Sequence, residues 1–552
     1  MTPLKQIIVF FMLFSFIAFP SCQNPETNKA DNGVTSSQYA TSKNGMVATA
    51  HPLATQAGKQ VLENGGNAAD AAVAVSFTLA VVEPAMSGLG GRLQAIVLDN
   101  NGKVHGIDAT TQAPGTYDKE TAPQAKYGYA VIGVPGVVAG VAKLNEAHGS
   151  MPLKELLAPA IKLANEGFYQ LPDQVLMQSM VKDQLMEFNG SKKYFILPGD
   201  TMVYGPNDLL VQKDLANTLT LIAENGPQIF YKGEIAEKMV ADVQVHGGAL
   251  TMESLAEYEA LNSEILSGSY KGIDVYGLWL PSFGATTIEI LHILENLPMK
   301  EYSDAEWASA MYQAIKLGYE DRFMQMKLES GDSLISKEYA KTLSEKIQIS
   351  TPIEASLESA NREPIAWQED PGHTTHFTIV DKNGMVVSLT QSIGPIMGSR
   401  VVTPGLGFLY AATLGGYLGP MEPYQRAASH ISPMILTKDG SPFMGLGAAG
   451  GDKINSAIVQ AVCQVVDKDK SLIDALEAPR VHPSKEGILI EIHDSLAWSD
   501  EDLKFLEDNG FLIKKQNQPF RFGRVHAIMK KGDEWIGAAD PDGEGTAGGP
   551  EK

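Results

Sequence analysis

The chain has 552 residues, 44% apolar and 20% charged, as in an ordinary globular protein, which excludes a disordered or collagen-like chain. Its 43 basic and 65 acidic residues leave a formal net charge of −22, which disfavours nucleic acid and polybasic attachment to anionic lipid, since both need a basic footprint. Two cysteines, Cys22 and Cys463, are too few for a disulfide scaffold, a zinc ribbon or an iron–sulfur cluster.

Lys5 followed by the apolar run 7–19 reads as a secretory signal, since spanning ~30 Å of hydrocarbon takes about 20 residues. Pro20-Ser21-Cys22 comes directly after it. A small residue before a cysteine at this point resembles a bacterial lipoprotein cleavage site, with residues 1–22 the signal and Cys22 lipidated. The plainer alternative is an ordinary signal peptide with an incidental cysteine. On the lipoprotein reading the protein is exported to the periplasm or cell envelope and meets the membrane only through its anchor. Acyl chains hold it there at ~0.8 kcal/mol per buried CH₂. Residues 23–43 are polar, with Pro, Gly and Ser, and read as a flexible tether.

Residues 51–64 read as a helix stopped by Gly65-Gly66, and Asn67 caps the next one, with Asp70 three residues on. Residues 68–82 are apolar on nearly every face, which predicts a buried helix. Residues 94–98 and 104–108 flank Asp99-Asn100-Asn101-Gly102-Lys103 as a hairpin. From 137 to 326 the pattern is mostly helical, and 364–373 is polar and unsuited to a core. Residues 375–380 and 385–390 are β-rich around Asp381-Lys382-Asn383-Gly384, a second hairpin. Strands follow at 432–437 and 443–446, and helices at 454–466 and 471–478, the first holding Cys463 as a buried, inert thiol. This order suggests a layered α/β or α+β arrangement with helices on both faces of the sheets.

Among chemical motifs, Gly445-x-Gly447-x-x-Gly450 matches a dinucleotide fingerprint, but no βαβ unit follows. Gly450-Gly451 before a helix offers instead two bare N–H groups for an oxyanion. Glu320-Asp321-Arg322 reads as a structural ion pair. The histidines do not cluster at metal spacing, and no Gly-x-Ser-x-Gly elbow is present. Thr374 opens a β-strand after a polar loop. Its hydroxyl becomes a useful nucleophile if the preceding bond is cut, because the freed α-amine can serve as base.

Several blocks in order give this idea weight: Gly45–Gly91, Val131–Phe168, Leu280–Glu295, Thr374–Ser392, Gly447–Ile454 and the C-terminal segment 538–549. Together they resemble the γ-glutamyltransferase family of N-terminal-nucleophile hydrolases, from about residue 44 to the end. The resemblance implies a four-layer αββα fold and a precursor that cuts itself between His373 and Thr374. A large subunit (44–373) and a small catalytic subunit (374–552) would then stay together as an obligate heterodimer. It implies Thr374 as nucleophile, Ser392 as an assisting hydroxyl and Gly450 and Gly451 as the oxyanion hole. No metal and no organic cofactor is implied. The substrate is a small-molecule amide, nominally γ-glutamyl, whose acyl group passes through an acyl-threonine ester to water or an amine.

The pocket departs from the family pattern. The arginine that grips the γ-glutamyl α-carboxylate falls on Thr110, the residues for the α-amino group fall on Gly394, Thr413 and Gly416, and a serine pair becomes Ser429-His430. Charge-assisted contacts of this kind contribute roughly 1.5–3 kcal/mol each, so two or three losses weaken γ-glutamyl binding about a thousandfold. Arg92 stands where the family usually has glycine, and is either a replacement cation for another substrate or a structural arginine. Three readings follow: a γ-glutamyl hydrolase or transferase, an amidase or acylase of other specificity like oxamate amidohydrolase, and an inactive binding protein.

Overall fold

Helix Ala68–Val82 opens on the expected capping box, Asn67 with Asp70, and all fifteen of its residues are buried. Asp70 also accepts from Ser150 and Met151, tying the cap to a second segment. The helix before it, Pro52–Glu63, is capped by His51, whose ring nitrogen accepts from Leu53 N–H. In this computed structural model, residues 37–353, 373–485, 487–492, 498–517 and 522–551 are described, without the side chain of Phe323. The expected signal with Cys22, and the polar stretch up to residue 372, lie outside the described residues.

Two seven-stranded antiparallel sheets stack face to face. The first runs Thr546–Gly548, Gly45–Thr49, His373–Asp381, Val386–Gly394, Arg92–Leu98, Val104–Ala109, Leu261–Asn262. The second runs Tyr39–Ser42, Glu534–Ala539, Arg524–Lys531, Ser441–Ala449, Met434–Lys438, Ile273–Leu278, Ile265–Tyr270. Between them lies a core in which Met46, Ile96 and Val380 of the first meet Ile435, Ile528 and Trp535 of the second. Helices around Ala68–Val82 cover the outer face of the first sheet. Helices Gly284–Glu295, Asp304–Gln325 and Ile454–Val466 cover the second. The four-layer αββα expectation holds, with strands and helices segregated as in an α+β fold.

Two expectations need correction. Residues 39–42 of the supposed tether form an edge strand registered against Glu534–Ala539. The largely helical stretch 137–326 contains the hairpin Ile265–Tyr270 and Ile273–Leu278, closed by Lys271 (φ 50°) and Gly272 (φ 81°). Two left-handed residues make the tight turn that matches strand twist. The fingerprint glycines are packing residues. Gly445 and Gly447 lie within an antiparallel strand, where a Cβ on Gly447 would come within 2.4 Å of the His376 ring.

Candidate active site

Antiparallel register sets Thr374 opposite Ser392, and Ser392 opposite Arg92. Residues directly opposite project from the same face, so three residues distant in sequence form one row across three strands. That face looks toward the second sheet, because His376 and Thr378, further along the same strand as Thr374, contact Gly447 and the His526 carbonyl. Thr374, Ser392 and Arg92 are all buried. The His376 ring nitrogens meet the hydroxyls of Thr390 and Thr378, and burial with His526 nearby holds it far below the usual histidine range. It is a neutral packing residue, unsuited to take a proton.

The pairing slips between His373 and Thr374. His373 faces Gly394 while Thr374 faces Ser392, leaving Ile393 as the extra residue of a β-bulge. Ser392 joins the two sides of the bond between them. Its Oγ donates to the His373 carbonyl oxygen at 2.9 Å and accepts from Thr374 Oγ1 at 3.2 Å and from the Gly394 N–H at 2.9 Å. On the reverse face Glu83 is buried beside Thr375, and burial pushes its carboxyl up to about 7.

A small cavity of about 40 Å³ opens beside Thr374 and Ser392. Gly451 forms part of its wall, at the start of the turn leading into helix Ile454–Val466, so the positive end of that helix abuts the cavity. Gly450 (φ 140°) and Gly451 (φ 59°) occupy backbone regions that suit glycine, and a Cβ on Gly450 would come within 2.7 Å of Gly523 Cα.

Of the residues expected to hold substrate, Arg92, Gly394, Ser429 and His430 line this cavity, while Thr110, Thr413 and Gly416 do not. The Thr110 hydroxyl donates to Asp108, which is paired with Arg426 at 3.1 Å. Thr413 is fully buried and its hydroxyl has no hydrogen-bond partner.

Arg322 overturns an expectation. Rather than pairing with Glu320 or Asp321, it lies on the cavity wall, its guanidinium 3.9 Å from the centre of the Phe283 ring and hydrogen-bonded to His430. Burial lowers its pKa to about 10, which leaves it charged at neutral pH. Burial, with Arg322 beside it, holds His430 well below the usual range, so the imidazole is a neutral acceptor. Asp321 instead accepts from Tyr339 and abuts Glu289. The sequence carried a signal: Ile315, Tyr319 and Arg322 follow helical spacing and all three are buried.

A family profile described as gamma-glutamyltranspeptidase matches residues 54–549. The chain is 33% identical over 540 residues to the glutathione hydrolase proenzyme of Escherichia coli K12, covering 90% of each. It is 30% identical over 499 residues to the acylase ACY 1 proenzyme of Pseudomonas sp. V22, covering 83% of this chain and 85% of that one. Among solved structures it resembles a cephalosporin acylase from Bacillus halodurans, with a TM-score of 0.84 and 27% identity over 99% of this chain and 100% of the other.

Proposed function

The chain belongs to the gamma-glutamyltranspeptidase family, and on that premise we propose that Thr374 is its nucleophile, first for its own cleavage and then for an external amide. Its membership makes it an amidohydrolase-type enzyme; the observation that carries the assignment of residues is the chain of hydrogen bonds Thr374–Ser392–His373 carbonyl.

That chain is a proton path. As Thr374 Oγ1 attacks the His373 carbonyl carbon, Ser392 takes the hydroxyl proton and gives its own to the carbonyl oxygen. The adduct forms without stranding a charge in a buried site. The C–N bond then breaks, its electrons going to the Thr374 nitrogen, which takes the proton back. Water hydrolyses the resulting ester, leaving a His373 carboxylate and a free Thr374 amine and hydroxyl. Residues 44–373 and 374–552 remain together as large and small subunits, because each contributes strands to both sheets.

In turnover the freed amine accepts the Thr374 hydroxyl proton. The hydroxyl adds to an amide carbonyl, and the Gly450 and Gly451 N–H groups hold the developing oxyanion. The amine departs, and water or a second amine releases the acyl group. A γ-glutamyl donor is the reading the family name suggests. The likeness to acylases and the threonine at position 110 favour a different acyl group. The N-terminal 22 residues are read as a lipoprotein signal ending at Cys22, supported by the apolar run 7–19, which puts the enzyme in the cell envelope.

Intact mass of the chain lacking residues 1–22 tests the central assignment. Wild type yields two fragments, the smaller beginning at Thr374, and Thr374→Ala stays whole. An uncut wild-type chain overturns the assignment and makes the protein a binding member of its family.

A further inference from the structure

Of the twelve large apolar side chains left exposed among the described residues, five fall between Leu176 and Val211. Two of these lie on helix Pro172–Met180, one turn apart: Leu176 is 48% exposed and Met180 64%. Pro172, Val175 and Ser179 share their face, so an uncharged row runs the length of the helix. The opposite face is buried through Gln174, Met177 and Gln178. Gln178 donates to Gln170, which donates to the Tyr204 carbonyl at 3.0 Å, tying the helix to the segment that carries exposed Met202. Charge cancels here as well. In a chain of net charge −22, residues 172–196 balance Asp173, Asp183 and Glu187 against Lys182, Lys192 and Lys193.

This helix also lies where the chain enters the fold. Ser37 bridges to Ala547, and Gln38 Nε2 donates to the Gly543 carbonyl at 3.2 Å. The next residue, Glu544, accepts from the Asp173 N–H at 3.0 Å, in the first turn of the helix. Fourteen mostly polar residues, 23–36, separate Cys22 from Ser37. A coil of that length averages about 20 Å end to end and reaches about 50 Å at full stretch. A lipid at Cys22 therefore keeps this end of the fold beside the bilayer, at an effective concentration in the ~mM range.

We propose that helix Pro172–Met180 is a membrane-docking face, whose Leu176 and Met180 enter the interface of a lipid bilayer while the anchor holds the chain nearby. The inference goes beyond the anchor and rests on reading Cys22 as lipidated. An exposed apolar row on a helix packed into the fold by its other face suits shallow interfacial contact. The row is too small to hold a free protein on a membrane, and the tether removes that requirement. A second copy fits less well. One nine-residue helix, about 13 Å long and about 10 Å wide, offers far less than the ~800 Å² per partner of a stable dimer.

The test uses the chain from Cys22 onward, coupled through that thiol to a maleimide-bearing lipid in phosphatidylcholine vesicles. Cys463 is buried and does not compete. Leu176→Trp reports contact through quenching by brominated phosphatidylcholine. Val245→Trp, at a position 77% exposed on another helix, controls for the affinity of the indole itself. After subtraction of the parent fluorescence, quenching at 176 is expected to exceed that at 245 at least threefold. Adding Met180→Gln lowers the ratio of docked to undocked chain about tenfold, as for loss of one buried apolar side chain. Equal quenching at the two positions, or none at either, overturns the proposal. So does a dimer of the uncoupled chain in light scattering that Met180→Gln returns to monomer, since the face then belongs to a second copy. The anchor is tested separately, by the mass of the N-terminal peptide of the full chain after export from a bacterial cell. An unmodified Cys22 refutes the anchor reading, whereas the coupled chain decides the helix face.

Discussion

Replacing Ser392 with alanine removes one oxygen that makes three hydrogen bonds, to the His373 carbonyl, Thr374 Oγ1 and the Gly394 N–H. Two effects follow, of different size and in different observables. The folded precursor loses partners for buried polar groups, at a cost of about 1–3 kcal/mol in stability. Self-cleavage loses more. The group that polarises the carbonyl is gone, as for a deleted oxyanion donor at ~2.7–4 kcal/mol of barrier. The Thr374 proton also loses its acceptor, and a positioned proton-transfer group contributes about 10²–10⁴ in rate. The two contributions share one atom and do not add, so cleavage should slow by about 10³-fold. Rapid purification followed by timed intact-mass spectra gives the rate, and thermal unfolding of the uncut fraction shows whether the fold survives. Ser392→Thr keeps an oxygen and should retain much of the rate. A Ser392→Ala chain that folds and matures at the wild-type rate would refute the proton path.

Two further predictions concern stability and are best measured on the uncleaved Thr374→Ala chain. Glu289 is fully buried, and burial together with neighbouring Asp321 raises its carboxyl well above 4.5. The folded state therefore holds a proton that the unfolded chain releases, and this contribution is lost as pH rises above about 4.5 through the folded value. Glu289→Gln removes that dependence, so its stability relative to its parent should increase from pH 5 to pH 8 by up to ~1.4 kcal/mol per unit; parallel melting curves would refute it. Burial lowers His51 and His526 from 6.5 to about 3, so between those values the unfolded chain binds protons that the folded chain does not. Stability should fall as pH drops from 6.5, and His51→Asn, which keeps a capping acceptor, should flatten the slope by about one proton.

The parts of the fold set by neighbouring residues were legible. The capped helix Ala68–Val82 carries its own boundary in Asn67 and Asp70, and the strands around residues 381–384 carry theirs in an Asn-Gly turn. Elements defined by distant partners were not. Tyr39–Ser42 is polar enough to pass for a tether and becomes a strand only because Glu534–Ala539 offers it an edge. The hairpin closed by Lys271-Gly272 is short and sits among helices, so its turn had to be judged without a strong flanking pattern.

The site divides the same way. Thr374, Ser392 and the Gly450-Gly451 pair lie within short motifs, and the structure brings Thr374 and Ser392 into one hydrogen-bonded unit. The cavity beside them is assembled from remote segments. Arg322 was read as half of an ion pair because Glu320 and Asp321 precede it, yet on a helix side chains one and two positions apart point in different directions. Its true neighbours, Phe283 and His430, are fixed by tertiary packing. Thr110 shows the converse. A residue aligned with a substrate-gripping arginine lies off the cavity, its hydroxyl held by Asp108 and Arg426 bound to the same carboxylate. Motif position thus located Thr374 and Ser392, while the side chains that line the cavity beside them are brought there by tertiary packing.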